Sequence, residues 1–337
     1  MKIARDNRLD LLKAISIVFV LIWHLRPLSF ILDKNTPKFI FVTAKIVHNV
    51  ELQLYLTAVP LFYIVSLYLF FIKKPDNKYF RLRIIKIFQI FGFWSIFNYI
   101  FVLIVTKEFP EFSWETIKGL KPSLPLVGDS VLYFLFNLIG LTIIAFIYQK
   151  ANYFLMRILN NIIIIFTLIL FEVSCIVNSS IPYHWLFNFI IYVPIAYYLV
   201  NKPDQIVKWK YCFLAGYMIF SLHDILLRTY NYYPSIYGRI SIICGALTIF
   251  CFVYKLRIPE LWYVQKLSKY SLGLFALHKY WQCLFFLFVK NLEFSIVTGF
   301  FGIPLNIVFP SVGILSIIFS LFSIWLFNFS NLKRFVA

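Results

Sequence analysis

Charged residues, and acidic residues in particular, are scarce in this chain. Only 14 of its 337 residues are Asp or Glu, and charged side chains make up 14% of the total, against about 25% in an average soluble domain. An ordinary soluble enzyme and a disordered chain are therefore excluded, because both carry more charge. The five cysteines form no C-x-x-C pair, which argues against a disulfide framework and against a metal site.

Long apolar runs are abundant. Hydrophobic residues make up 61% of the chain, and continuous runs of about 20 residues, long enough to cross a bilayer core, recur along its whole length. Their continuity favours helices over a β-barrel. We predict an all-α polytopic membrane protein with ten transmembrane helices, forming a single domain over residues 1–337 with no separate soluble domain. The predicted spans are 11–32, 52–72, 84–106, 130–148, 159–177, 185–200, 211–228, 235–254, 270–289 and 300–327.

Basic residues outnumber acidic ones by 32 to 14, which gives a net charge of +18. In a soluble protein such an excess would suggest a nucleic-acid partner. With ten spans, however, 21 of the 32 basic residues fall in the segments on one side of the membrane. The positive-inside rule then places the N-terminus and the C-terminus in the cytoplasm. No nucleic-acid partner is needed to explain the charge.

The first predicted helix carries ionisable side chains, which are costly inside a membrane and are candidates for function. Lys13 and His24 are eleven residues apart, so they share one helix face with a rise of about 16 Å between them. This places a cation at the cytoplasmic mouth and an imidazole in the membrane interior, suited to an anionic group and to proton transfer. Asp10 is close enough to pair with Lys13. Alternatively, Lys13 is a topology anchor and His24 only packs.

Further candidates lie in later segments. Arg83 and Lys86, spaced three apart at a predicted helix start, share a face and could bind the phosphates of a cytoplasmic cofactor. Contacts with lipid headgroups are the alternative explanation for these two cations. His278 and Glu172 lie within predicted spans, where each is either a packing residue or part of a site. Glu172 needs a partner there, which could be Arg239 or a histidine.

Several sequence blocks resemble, in order, those of one enzyme family. A basic residue, ten others and a histidine form its opening motif, and Lys13 and His24 match that spacing. The other similar blocks are Val59–Ser66, Arg83 with Lys86, Val131–Leu141, Tyr192–Leu199 and Tyr270–His278. The family is membrane-bound acyltransferase family 3, the multispanning acetyl and acyl transferases of bacterial surface glycans. The resemblance covers essentially the whole chain.

The chain also departs from the family pattern. Lys13 and Lys86 stand where arginine is common, and both keep the charge but lose the planar fork of a guanidinium. Val131 replaces a histidine, so no role is carried over to that position. The remaining departures are Leu67 and Ala196, where glycine is usual, and Lys279, where proline is frequent.

The resemblance implies an O-acetyltransferase of the bacterial inner membrane. Its donor would be cytoplasmic acetyl-CoA, and its acceptor a hydroxyl of a surface polysaccharide or of a lipid-linked precursor. The protein would be embedded in the lipid bilayer, with Lys13, Arg83 and Lys86 at its cytoplasmic mouth holding the phosphates of acetyl-CoA, and no metal is expected. A multispanning transporter or flippase of a glycan or small anionic substrate is the main alternative.

The resemblance also implies roles in the chemistry. His24 would be the general base on the acceptor hydroxyl, or it would carry the acetyl group transiently. For His24, this role follows both from the resemblance and from its place on the helix face that carries Lys13. His278, Glu172 and Arg239 are further candidates, either for orienting His24 or for stabilising the oxyanion.

Overall fold

The computed structural model describes residues 5–25, 46, 48–177, 181–230, 232, 235–293 and 305–337. Over these residues the fold is helical, with no strand and a single bridge between Leu124 and Gly128. The α-helices, numbered in chain order, are α1 (Asn7–Leu25), α2 (Ala58–Ile72), α3 (Asn77–Thr106), α4 (Trp114–Ile117), α5 (Tyr133–Lys150), α6 (Tyr153–Ile176), α7 (Tyr192–Asn201), α8 (Pro203–Lys208), α9 (Lys210–Thr229), α10 (Ile240–Lys255), α11 (Trp262–Glu293) and α12 (Leu305–Asn328).

Seven helices of the described chain are long and apolar enough to cross a membrane. They are His48–Ile72, which includes α2, then Asn77–Thr106, Tyr133–Lys150, Phe154–Ile176, Lys210–Thr229, Trp262–Val289 and Ser311–Asn328. The prediction of an all-helical, multi-pass membrane protein is confirmed. Helices α1, α7 and α10 occupy the other three predicted spans, but α7 and α10 are shorter and α1 carries three charges near its start. The count of ten spans and the cytoplasmic termini stay predictions.

Two helices begin well before the predicted spans. Helix α3 begins at Asn77 and α11 at Trp262, whereas their apolar runs begin at 84 and 270. Hydropathy marks only the part of a helix that suits hydrocarbon, and Lys and Arg residues before it are good helix formers. At the start of α3, the Asp76 carboxylate accepts the backbone N–H of Tyr79 at 2.7 Å, which caps the helix.

The chain divides into two compact units, each assembled from separate stretches. Unit 1 consists of Met1–Ser16, Leu56–Gln89 and Phe134–Gln265, and unit 2 of Ile17–Tyr55, Ile90–Tyr133 and Lys266–Ala337. Helices α1, α3 and α11 each contribute residues to both units. The single domain over residues 1–337 stays a prediction.

In unit 1, α2 packs against α7, and α9 packs against α10. The Tyr63 ring lies 4.7 Å from the ring of Phe189, and its hydroxyl donates to the Phe134 carbonyl at 3.1 Å. Gly245 permits a close approach in α10, because a Cβ at this position would lie 2.7 Å from Thr57 Cγ2 and 2.9 Å from Tyr217 Cδ2. A tilted aromatic contact and one small residue therefore contribute to the packing in this unit.

In unit 2, the core lies around Trp94, whose indole N–H donates to the Phe335 carbonyl at 3.1 Å. The end of α1 is held in this unit by α12. A Cβ at Gly313 of α12 would lie 3.1 Å from the carbonyl oxygen of Leu25, the last residue of α1. This close backbone approach fixes the helix end that carries His24.

Candidate functional site

Helix α1 is continuous from Asn7 to Leu25, so Lys13 and His24 lie on one helix as the spacing predicted. Regular helical geometry gives a rise of about 16 Å between them. Lys13 belongs to the part of α1 in unit 1, and His24 to the part in unit 2.

His24 and His278 lie side by side in unit 2. Their ring centroids are 5.2 Å apart, and the ring planes are inclined at 42°. His24 is half-buried in the last turn of α1, and His278 is fully buried in α11. Sequence spacing could not pair these residues, because they lie in the first and one of the last helices. Two imidazoles in contact form a group that can accept and donate protons.

The hydrogen bond made by His278 fixes the position of its proton. Its Nδ1 lies 3.0 Å from the Leu274 carbonyl oxygen, one turn earlier in α11. A carbonyl only accepts hydrogen bonds, so Nδ1 carries a proton, and in the neutral ring Nε2 is then an acceptor. This Nε2 is buried and has no hydrogen-bond partner within the described residues. A basic nitrogen beside His24 is thus left for another donor.

Gln282 is a residue of this site that the sequence analysis missed. Its Nε2 donates to the His24 carbonyl at 2.9 Å. The last four carbonyls of a helix have no partner within that helix, and Gln282 satisfies one of these in α1. Gln282 follows His278 by four residues, which places both on one face of α11. The four-residue spacing from His278 was a signal in the sequence that pointed to Gln282. Its side chain is a neutral amide, however, so it did not stand out as an ionisable group in a membrane span.

Lys279 ties α11 to the segment that precedes α5. Its side chain is buried, and its ammonium donates to the Asp129 carbonyl. One turn later, Cys283 Sγ donates to the Pro125 carbonyl at 3.2 Å. These contacts hold residues 125–129 against α11, in the unit that contains both histidines. Lys279, which departs from the family pattern, therefore has a structural role here.

A cluster of cations surrounds Lys13 in unit 1. Lys13 is half-buried, and it interacts electrostatically with Asp10, Arg5 and Arg83. Asp10 forms an ion pair with Arg5, a partner that the three-residue spacing to Lys13 did not indicate. The structure thus brings together the predicted cations Lys13 and Arg83 and adds Arg5 to them.

Arg83 and Lys86 have different surroundings, although both lie near the start of α3. Arg83 Nη2 donates to the Ser66 carbonyl at 3.0 Å and to the Ser66 hydroxyl at 2.8 Å. Its guanidinium lies 5.1 Å from the centre of the Phe70 ring, and its buried Nε has no hydrogen-bond partner among the described residues. Lys86 is exposed. Arg83 is therefore fixed against α2, and a donor-binding role for Lys86 stays a prediction.

Glu172 and Arg239 lie in unit 1, whereas His24 lies in unit 2. Glu172 is half-buried in α6, and its predicted role stays a prediction. Arg239 is fully buried and forms an ion pair with Asp224 at 3.4 Å. Ser241 Oγ donates to the same carboxylate oxygen. Asp224 is thus a partner of Arg239 that sequence could not assign.

The family comparison decides the class of the protein. The family model described as an acyltransferase domain, the family 3 type, matches residues 6–327. The chain belongs to acyltransferase family 3. It is therefore a membrane acyltransferase, and the resemblance inferred from the sequence blocks is confirmed. No curated protein and no solved structure gives a significant match.

Two parts of this family 3 acyltransferase have the chemical character that acyl transfer needs. Unit 1 contributes the cluster of Arg5, Lys13 and Arg83, which suits a polyanionic ligand. Unit 2 contributes the pair of His24 and His278, which suits a proton transfer. Within the described residues, no three side chains that could ligate a metal come together.

Proposed function

We propose that the protein is an O-acetyltransferase that transfers an acetyl group from cytoplasmic acetyl-CoA to a hydroxyl of a bacterial surface polysaccharide or of its lipid-linked precursor. The pair of His24 and His278 carries the proposal. A hydroxyl attacks a thioester well only if a base removes its proton as the new bond forms. An imidazole titrates in the range that this task requires.

The cation cluster of unit 1 fits the phosphates of acetyl-CoA. Lys13, Arg5 and Arg83 act together there with one carboxylate, Asp10, which is paired with Arg5. Arg83 is held by Ser66, so its guanidinium is ordered before a ligand binds, which lowers the entropic cost of binding. Lys86, exposed one turn further along α3, is proposed as an outer contact for the same phosphates.

The proposed reaction needs one base. Bound acetyl-CoA supplies an acyl group that is activated as a thioester. His24 removes the proton of the acceptor hydroxyl while the hydroxyl oxygen bonds to the acyl carbon. The carbon–sulfur bond then breaks, and His24 returns the proton to the departing sulfur. His278 keeps an unprotonated Nε2 beside this ring and contacts the acceptor.

The proposed location is the bacterial cytoplasmic membrane, with both termini in the cytoplasm. The distribution of basic residues supports this orientation. The cation cluster near the start of α1 then lies at the cytoplasmic side, where acetyl-CoA is available.

Mass spectrometry of surface glycans tests the function. We expect acetylated sugars in cells that produce the protein and none in matched cells that lack it. The sugar that gains the acetyl group identifies the acceptor. Glycans of equal acetylation in the two strains would contradict the proposal, and a changed amount of unmodified glycan at the surface would favour a transporter.

A further inference from the structure

The connection between α3 and α5 contains a segment, residues 121–129, that is fixed to two of the candidate membrane helices. Lys279 and Cys283 of α11 donate hydrogen bonds to two of its carbonyls. Asn98 of α3 donates from Nδ2 to a third carbonyl, that of Pro122, at 2.9 Å. All three donor side chains are buried, and a buried donor that loses its partner costs free energy. The backbone of this docked segment is therefore held in place.

The docked segment lies beside the pair of His24 and His278, and all of these residues belong to unit 2. In α11, His278 contacts the His24 ring and Gln282 bonds to the His24 carbonyl. The two residues that hold the docked segment, Lys279 and Cys283, come directly after them in the sequence. Successive residues of an α-helix are about 100° apart around its axis. Adjoining faces of α11 therefore carry the histidine pair and the docked segment.

Three polar side chains of the docked segment are joined into a surface cluster, which consists of Lys121, Ser123 and Asp129. Lys121 Nζ donates to Ser123 Oγ at 3.1 Å, and Ser123 Oγ donates to Asp129 Oδ1 at 2.7 Å. The ammonium of Lys121 lies 3.6 Å from the Asp129 carboxylate, and the two side chains are 40% and 42% exposed. Exposed ion pairs contribute little to stability. The buried hydrogen bonds to its carbonyls therefore hold this segment, and the surface cluster is accessible to a ligand.

The surface cluster can both donate and accept hydrogen bonds. An ammonium has three N–H donors and a carboxylate has about four acceptor positions, and the contacts within the cluster use only part of this capacity. The charges of Lys121 and Asp129 cancel, so the cluster favours neither an anion nor a cation. A hydroxyl donates and accepts at the same time. Several hydroxyls on an uncharged sugar ring therefore match the cluster best.

We propose that the surface cluster of Lys121, Ser123 and Asp129 is the acceptor-binding subsite, and that it binds hydroxyls of a neutral sugar. The subsite rests on the proposed O-acetyltransferase function and names the chemical class of its acceptor. The hydroxyls that it binds are not the hydroxyl that reacts, whose proton goes to His24. The docked segment thus positions the acceptor beside the histidine pair and takes no part in the proton transfer.

Steady-state kinetics on the full-length protein in lipid nanodiscs test the subsite. The donor is acetyl-CoA, and the acceptor is the glycan fraction, including lipid-linked glycans, extracted from matched cells that lack the protein. We expect Asp129→Ala to raise the apparent KM for this fraction about tenfold or more, because it removes hydrogen bonds to a charged group. The KM for acetyl-CoA is expected to stay unchanged. Asp129→Asn keeps one acceptor oxygen, and its KM for the glycan fraction is expected to lie between those of Asp129→Ala and the wild-type protein.

The matched control is Glu115→Ala, which removes an exposed carboxylate from the same connection between α3 and α5. This variant is expected to keep both KM values. Asp129→Ala is expected to melt at the wild-type temperature, because buried side chains hold the docked segment. A lower melting temperature together with a higher KM for both substrates would show a structural role of Asp129 and overturn the proposal.

The remaining outcomes separate the subsite from the proposed function. An unchanged KM for the glycan fraction in Asp129→Ala overturns the subsite, and so does an acetylated sugar that carries a charge. A wild-type protein that acetylates glycan in cells but not the extracted fraction overturns it as well. In these three cases the proposed function stands. If neither the glycan of producing cells nor the extracted fraction is acetylated, the proposed function fails, and the subsite fails with it.

Discussion

At the residue scale, the parts of the site that were predictable from sequence are ionisable groups in apolar runs. Lys13, His24 and His278 stand out because charge and imidazole are costly in a membrane. Their partners were not predictable. The contact between His24 and His278 depends on how distant helices pack, and Gln282 is neutral. A one-dimensional pattern shows which residues need an explanation, but it does not show which of them meet.

The contrast between Arg83 and Lys86 gives a prediction for donor binding. Arg83 is fixed by Ser66 and lies near Lys13, whereas Lys86 is exposed. We expect Arg83→Ala to raise the KM for acetyl-CoA about tenfold or more, a loss of about 1.4 kcal/mol or more, with kcat little changed. Lys86→Ala is expected to have a smaller effect, because exposed charges are screened.

Steady-state kinetics at varied acetyl-CoA concentration measures both effects. Arg83→Lys separates charge from geometry, since it keeps the charge but loses the planar fork. Its KM for acetyl-CoA is expected to lie between those of the wild-type protein and Arg83→Ala. Identical KM values for Arg83→Ala and the wild-type protein would remove Arg83 from the donor site.

At the element scale, sequence located the helices but not all their ends or contacts. Each predicted span contains a helix, because continuous apolar runs of this length are strong signals. The early starts of α3 and α11 were missed, since their first turns are polar. The approach of α9 to α10 was also not visible, because it depends on one small residue, Gly245, meeting Thr57 and Tyr217.

Gly245 gives a prediction about helix packing. In Gly245→Ala the new Cβ meets three side-chain atoms within 3.0 Å, so we expect a loss of stability of about 1–3 kcal/mol from overpacking. Gly92→Ala is the control, because nothing lies within 4 Å of its Cβ position. It is expected to leave stability unchanged or raise it by about 0.4–1 kcal/mol. Thermal unfolding in detergent compares them, and equal melting temperatures would show that the close approach does not exist.

The ion pair between α9 and α10 gives a second prediction at this scale. Asp224→Asn leaves the buried Arg239 guanidinium without its counter-charge, and breaking a buried pair in this way costs about 3–5 kcal/mol. The exposed pair of Asp204 and Lys255 is the matched control. Asp204→Asn should cost at most about 1 kcal/mol. Thermal unfolding again measures the difference, and a stable Asp224→Asn protein would contradict the account of this pair.

At the scale of the whole molecule, the charge excess has a physical explanation in the membrane. Most basic residues lie in segments that the positive-inside rule assigns to the cytoplasm. On this assignment, the same side carries the cations proposed to bind the donor. We therefore expect a green fluorescent protein fused to the C-terminus to fluoresce, and an alkaline phosphatase fused there to be inactive. An active phosphatase fusion and a non-fluorescent green fluorescent protein fusion would contradict this orientation. They would place the cation cluster on the side of the membrane that lacks acetyl-CoA.

The central claim is that this family 3 acyltransferase transfers an acetyl group by using His24 as a base. Transfer of labelled acetyl from acetyl-CoA to glycan, catalysed by membranes that contain the protein, measures it most directly. His184→Ala, a half-buried histidine of unit 1, is the control and should keep wild-type activity. For His24→Ala, inserted at equal amounts, the account predicts a rate lower by about 10²–10⁴-fold. Wild-type transfer by His24→Ala would contradict it.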